Sequence, residues 1–159
     1  MAGTVMGRTD EGRQLVGWRE MVMLPDLADI WIPAKIDTGA RTSSLHATEV
    51  ERFERDGHRW VRFVLDIGAG GSAPVVCELP RADRRRITSS NGQAEYRTII
   101  KAGLRIGPHI FRAEFSLADR SDMQFPILVG RTALRRGFLV DSGRSYLQSS
   151  AAERKRILG

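Results

Sequence analysis

The stretch Trp31-Ile32-Pro33-Ala34-Lys35-Ile36-Asp37-Thr38-Gly39-Ala40 decides the fold. An apolar segment with β-compatible side chains runs straight into Asp-Thr-Gly-Ala. This places a carboxylate at a strand end, beside a small turn. Gly39 permits close backbone approach and unusual dihedrals. Thr38 can hydrogen-bond across to a matching loop. Gly39 and Ala40 leave room for a substrate backbone. Asp-Thr-Gly alone also describes a plain β-turn, so the flanking sequence has to decide between the two readings.

Outward from this point the text is a series of short apolar runs broken by Gly, Pro and Asp. Upstream, Leu15 to Leu24 reads as strand and Pro25-Asp26 as a turn. Downstream, Leu45 to Phe53 alternates in part, and Trp60 to Ile67 is rich in β-formers. Gly68 to Ser72 is a turn, and Pro74 to Leu79 a short strand. Ser90-Asn91-Gly92 signals a hairpin, because Asn-Gly accepts positive φ at both central turn positions. Tyr96 to Ile106 and Ile110 to Leu117 read as strands joined at Gly107-Pro108. Phe125 to Val129 is apolar, Thr132 to Arg136 fits a short helix, Phe138 to Val140 a last strand, and Glu153 to Leu158 a frayed basic helix. Many short strands at close spacing indicate an all-β fold, closed or sandwiched.

The chain has 159 residues, 42% of them hydrophobic and 28% charged, which describes one globular domain and not a disordered chain. No apolar run approaches the ~18–20 residues of a membrane span. Residues 1–14 are polar and Gly-rich, are expected to be a flexible leader, and do not resemble a secretory signal. Cys77, the sole cysteine, lies in an apolar run and reads as a buried thiol; a cytoplasmic location is expected. The 25 Lys and Arg exceed the 19 Asp and Glu by 25 − 19 = 6. Only Lys35, Lys101 and Lys155 are lysines, so the surplus is arginine, which recognises carboxylates and phosphates in bidentate fashion. An acidic partner fits. Aromatic residues do not interleave with the Arg84-Arg85-Arg86 run, which reads as a solvated face, so no stacking platform for nucleic acid is evident.

A second motif, Ile127-Leu128-Val129-Gly130-Arg131, follows far downstream and precedes the short helix. An Asp-Thr-Gly-Ala loop, a hairpin tip, then apolar-apolar-Gly-Arg and a helix resemble, in that order, the retropepsin-like aspartic peptidases. The match is closer to the bacterial branch called ATP-dependent zinc proteases. It is carried by Lys35 to Ala47, by Ser89-Ser90-Asn91-Gly92, by Phe125 to Leu134 and by Phe138 to Asp141. The resemblance implies a retropepsin-like closed β-barrel with one short C-terminal helix over residues 15–148, followed by a basic tail over 149–159. The zinc and ATP of that name find no counterpart in the residues. His46, His58 and His109 are widely separated with no His-Glu-x-x-His, and there is no phosphate-binding Gly-x-x-x-x-Gly-Lys-Ser/Thr loop. No metal and no cofactor is therefore assigned.

Amide hydrolysis by carboxylates needs two of them sharing a proton. One Asp37 does not suffice, so the resemblance implies a homodimer with Asp37 of each subunit meeting on a two-fold axis. Thr38, Gly39 and Ala40 support the loop, and Gly130 and Arg131 lie beside it. The resemblance implies that Ser90, Asn91 and Gly92 are the tip of a flap that closes over substrate; an ordinary hairpin is the alternative reading. Arg41 stands where the retroviral pattern carries an acidic residue. With Thr42 and Arg97 it is expected to bind an acidic substrate, and Arg86 is a further flap-side cation. The family's association with ATP-grasp ligases implies glutamate tails as that substrate. Asp141-Ser142-Gly143 is a second Asp-Ser/Thr-Gly that reads as a turn. A zinc-dependent peptidase and a non-catalytic barrel binding acidic peptides or nucleic acid are the alternatives.

Overall fold

The computed structural model describes residues 12–66, 73–89, 91–121 and 123–158. The turn expected at Gly68 to Ser72, most of the expected leader and Ser90 lie outside the described residues. The elements in chain order are β1 (Gln14–Val16), β2 (Arg19–Leu24), β3 (Ala28–Ile36), β4 (Ser43–His46), β5 (Thr48–Arg55), β6 (His58–Leu65), β7 (Val75–Pro80), β8 (Asp83–Thr88), β9 (Ala94–Ile106), β10 (His109–Ala118), β11 (Ile127–Val129), α1 (Arg131–Leu134), β12 (Phe138–Val140) and α2 (Ala151–Leu158).

The main sheet runs β10-β4-β11-β3-β2-β9-β8, and β9 also pairs with β10. Six strands therefore close into a hydrogen-bonded ring, which leaves no free edge within it. The seventh strand of the sheet, β8, hangs outside on β9. Ring closure is possible because β9 is 13 residues long and changes partner along its length. Ile99 to Ile106 pair with β10, whereas Ala94 to Ile99 pair with β8. The sequence marks this change. The first three residues of β9, Ala94 to Tyr96, are exposed, and the stretch that follows Arg97 is almost wholly buried. Strands β5, β6 and β7 form a separate three-stranded sheet whose Val61, Phe63, Leu65 and Cys77 join the same core as Ile32, Ile36, Leu104, Phe115 and Ile127.

Three differences from the sequence reading have physical causes. The Arg84-Arg85-Arg86 run is strand β8 and not merely a solvated face, because its backbone pairs with β9 and Arg85 is neutralised by carboxylates on both sides. The hairpin tip is not a two-residue turn with both central residues left-handed. Of the pair Asn91 and Gly92, only Gly92 has positive φ, at 85°. The Asn91 side chain instead accepts the Gln93 N–H and pairs with the Ser89 hydroxyl, closing a longer loop. Gln14, assigned to the leader, is buried in β1, where its N–H donates to the Gly137 carbonyl at 2.8 Å.

The C-terminal tail is held to the barrel. Ser150 and Glu153 form a capping box at the start of α2, with Glu153 N–H donating to Ser150 Oγ at 3.1 Å and Ser150 N–H to Glu153 Oε2 at 3.4 Å. Buried Glu20 on β2 accepts the N–H groups of Gly17, Leu147 and Gln148 at 2.7, 2.9 and 3.0 Å. Burial pushes its carboxyl above the usual range, against the pull of those three donors and of Arg154.

The feature that positions the site is the placement of β11. It lies between β3, to which it is parallel, and β4, to which it is antiparallel. The connection from β3 to β4 must therefore pass over the end of β11. That connection is Asp37 to Thr42.

Candidate active site

The Asp37 loop is fixed from below by the residues that follow β11. Asp37 N–H donates to the Val129 carbonyl at 2.9 Å, continuing the parallel ladder one step past Ile36. Gly39 N–H donates to Asp37 Oδ1 at 2.9 Å, and Ala40 N–H to the Asp37 carbonyl at 3.3 Å. Gly39 does not adopt a left-handed φ, contrary to the dihedral role assigned to it. Its use is space, since a Cβ there would stand 3.1 Å from Asp37 Oδ1.

Where the loop crosses β11, Gly130 is buried beneath it. Its N–H donates to buried Ser43 Oγ at 3.0 Å. Helix α1 then presents its first residues to the loop. Arg131 N–H donates to the Ala40 carbonyl at 2.7 Å, Thr132 N–H to the Arg41 carbonyl at 3.1 Å, and Thr132 Oγ1 to the same oxygen at 3.0 Å. Arg131 Nη1 donates to the carbonyls of Thr38 and Gly39 at 3.1 and 3.0 Å. Four successive loop carbonyls, 38 to 41, thus point at one short helix start. The loop is rigid because its acceptors are used up, and the Asp37 carboxylate keeps one oxygen, Oδ2, free of the loop.

Two clefts flank the loop under β8. One, of about 740 Å³, is lined by Asp37 together with Lys35, Arg97 and Arg120. Trp18 and Phe125 also line it and form an apolar wall, packed edge to face at 5.9 Å. The other, of about 590 Å³, is lined by Arg41, Arg85, Arg86, Arg131 and Glu114. Gly39, Ala40, Thr42, Ile87 and Thr88 line both. Among the described residues that line the first cleft, Asp37 is the only carboxylate. In the second, Glu114 is bound by both terminal nitrogens of Arg85, at 2.8 and 2.9 Å. That bidentate pair holds the Glu114 carboxyl below the usual range and ties β8 to β10.

The structure thus brings Asp37, Gly39, Ala40, Arg41, Thr42, Arg97, Gly130 and Arg131 together around one loop. Exposed Thr38 sits at its outer turn. Asn91 and Gly92 are exposed at the hairpin tip and line neither cleft. Sequence reasoning missed Trp18, Arg120 and Phe125 as cleft residues. The Arg120 N–H donates to His46 Nδ1 at 2.8 Å, a partner 74 positions away, so no local spacing could reveal it.

A zinc site does not fit these residues. His46 Nδ1 is occupied by the Arg120 N–H, and His109 stacks edge-on against Phe138. Among the described residues, no three His, Cys, Asp or Glu side chains converge as metal ligands.

Comparison with known proteins agrees with the geometry. A Legionella pneumophila protein of unknown function, Lpg0085, shares the fold with a TM-score of 0.73 at 23% identity, over 85% of this chain and 98% of that one. Proteins named "Probable alpha-L-glutamate ligase" from Shewanella halifaxensis and Desulfotalea psychrophila are 36% and 34% identical over 137 and 133 residues. These alignments cover 86% and 83% of this chain, which spans only about 30% of the length of those relatives. Residues 15–151 match the RimB-like family model, described as "Retropepsin-like aspartic endopeptidase RimB". The chain belongs to the RimB-like family of retropepsin-like aspartic endopeptidases.

Proposed function

We propose that this chain hydrolyses peptide bonds in glutamate-rich substrates with a dyad of two Asp37 carboxylates, one from each subunit of a homodimer. The observation that carries this is the content of the Asp37 cleft: one carboxylate, on a rigid loop, among cations. One carboxylate cannot act as base and acid at once, and the cleft holds no second one of its own among the described residues. An isologous contact supplies the second from an identical loop. Like charges in contact cannot both ionise, so the pair holds one proton between them. The ionised member takes a proton from the attacking water. The protonated member donates to the scissile carbonyl oxygen. The tetrahedral intermediate then collapses: one of its two hydroxyls returns a proton to the ionised aspartate, the other aspartate gives its proton to the leaving amine nitrogen, and the C–N bond breaks, which leaves one proton on the dyad.

The glutamate preference is supported by charge. Lys35, Arg97 and Arg120 face one aspartate in the first cleft. In the second, Glu114 is taken up by Arg85, which leaves Arg41, Arg86 and Arg131 as the cations that line it without a carboxylate in that cleft. Proteins named as glutamate ligases carry a segment similar to this chain, and a peptidase joined to such a ligase would act on its product.

The test is cleavage of an oligoglutamate peptide by wild type and by Asp37→Asn, followed by mass spectrometry. Wild type should cut it and the variant should not, with both equally folded. Mixing the two proteins should lower activity as the square of the wild-type fraction, because mixed dimers hold half a dyad. A linear fall refutes the shared dyad. Binding of the peptide without hydrolysis by wild type replaces the peptidase with a non-catalytic binding barrel.

A further inference from the structure

We propose that Arg120, with Arg97, forms the subsite that takes a substrate carboxylate next to the scissile bond. Arg120 is therefore a specificity-determining residue. This rests on the peptidase reading above. Both guanidinium-bearing residues line the cleft that contains Asp37. They differ in how they are held.

Arg120 is fixed at its root and stem. Its main-chain N–H donates to His46 Nδ1 at 2.8 Å, and its Nε to the Phe125 carbonyl at 3.2 Å. Its two terminal nitrogens have no hydrogen-bond partner among the described residues. Burial and the like charge of Arg97 weaken its hold on the proton, and Asp37 offsets this only in part. A guanidinium pinned in a cleft beside another cation, with its fork unpaired, lacks an anion. Arg97 is held at the mouth by the exposed carboxylate of Glu95, through Nε at 2.8 Å. Glu95 is largely exposed, so solvent screens the pair and its hold on Arg97 is weak. An incoming carboxylate can therefore replace Glu95 on Arg97 while it fills the fork of Arg120.

The position decides which carboxylate this is. The apolar wall of Trp18 and Phe125 lines the same cleft and suits the methylene stem of a glutamate.

The experiment compares oligoglutamate with its isosteric oligoglutamine, in wild type and in Arg120→Gln, with kcat/KM for each. Wild type should prefer the glutamate peptide, and Arg120→Gln should collapse that preference by roughly 10–100-fold, the value of a charge-assisted fork. An unchanged glutamate-to-glutamine ratio overturns the subsite. Should Arg120→Gln fail to fold, arginine modification by phenylglyoxal in wild type decides. Oligoglutamate must protect Arg120 and oligoglutamine must not; equal modification with both overturns the proposal. If wild type cuts neither peptide, the peptidase reading fails by itself. The subsite then stands or falls on whether Asp37→Asn binds labelled oligoglutamate tightly and the Asp37→Asn, Arg120→Gln double variant does not.

Discussion

Replacing Gly130 with alanine tests whether the crossing of the Asp37 loop over β11 sets the active geometry. Gly130 has φ −96° and ψ −179°, extended values that alanine adopts without strain. Any effect is therefore steric. An added Cβ would lie 2.9 Å from the Ala40 oxygen, 2.9 Å from the Thr42 carbonyl carbon and 3.1 Å from the Arg41 oxygen. All three are backbone atoms, so no rotamer change relieves the clash. Ordinary contact begins near 3.4 Å, which requires the loop to lift by about 0.5 Å. That lift acts on the hydrogen bonds from Arg131 and Thr132 to the loop carbonyls, now 2.7 and 3.1 Å long. Overpacking of this kind costs about 1–3 kcal/mol. For a domain of this size each kcal/mol lowers Tm by roughly 2–4 °C, so a fall of about 5 °C is expected. Activity should suffer more, because reacting groups tolerate only about 0.5 Å of displacement, and a drop in kcat of about tenfold or greater is expected. Gly143→Ala is the control. Its Cβ would meet only Asp141 Oδ1, at 3.5 Å, and it should melt within about 1 °C of wild type. The assay is thermal unfolding beside kcat on oligoglutamate. If Gly130→Ala melts and turns over like wild type, the crossing does not position Asp37 and the reasoning is refuted.

Three further outcomes follow from the same contacts. Arg131→Ala removes two donors from the Thr38 and Gly39 carbonyls; partial exposure limits the stability loss to about 1 kcal/mol, while kcat should fall with KM little changed, as steady-state kinetics will show. Glu114 has a folded-state pKa below its ordinary 4.5, so the Arg85 tether contributes above that value and is lost as pH falls through the lower one. Hydrogen exchange over 83–88 should accelerate there, and Glu114→Gln should show that acceleration already at neutral pH. Glu20 behaves with the opposite sign: its pKa is raised, so the native state binds the extra proton and stability declines as pH rises from 4.5 through the raised value. Urea unfolding across that window should show the decline in wild type and not in Glu20→Gln.

The parts of the fold that were legible are those in which local pattern and tertiary role coincide. Ile32, Ala34 and Ile36 are apolar because alternate positions of β3 face the core, and Asp37 follows where the strand ends. Gly130 was legible as a motif, but its reason, the three loop atoms above it, exists only after β11 has inserted between β3 and β4. β8 was hidden because its side chains are almost all charged or polar and its strand character comes from β9 and from Glu114, 29 positions beyond Arg85. Arg120 was hidden because Asp119-Arg120-Ser121 reads as ordinary polar loop. The groups that hold it, His46 and the Phe125 carbonyl, approach from different segments.

Asp141 shows why the short motif could not decide function. Val140-Asp141-Ser142-Gly143-Arg144 repeats the local structure of Ile36 to Ala40 almost bond for bond. The Asp141 N–H donates to the Val16 carbonyl at 2.8 Å, as Asp37 donates to Val129 at 2.9 Å. Gly143 N–H donates to Asp141 Oδ1 at 3.0 Å, as Gly39 does to Asp37 at 2.9 Å. Residue 144 then donates to the Asp141 carbonyl at 3.3 Å, the same length as the Ala40 bond. Both loops leave a strand that is parallel to its neighbour, β12 beside β1 and β3 beside β11. The turn is therefore what Asp-Ser/Thr-Gly forms at the end of a parallel pair, whatever its use. Asp37 differs in what surrounds the turn. The Asp141 turn is also crossed closely, by Gly17 and by Trp18, whose N–H donates to the Arg144 carbonyl at 2.8 Å; at Asp37, in addition, a helix start takes up the loop carbonyls and cations line the cleft. Asp141 lines neither cleft. The carboxylate is set to work by the helix start and the cations around it, and substitutions there should change kcat, whereas Gly143→Ala in the Asp141 turn should leave kcat unchanged.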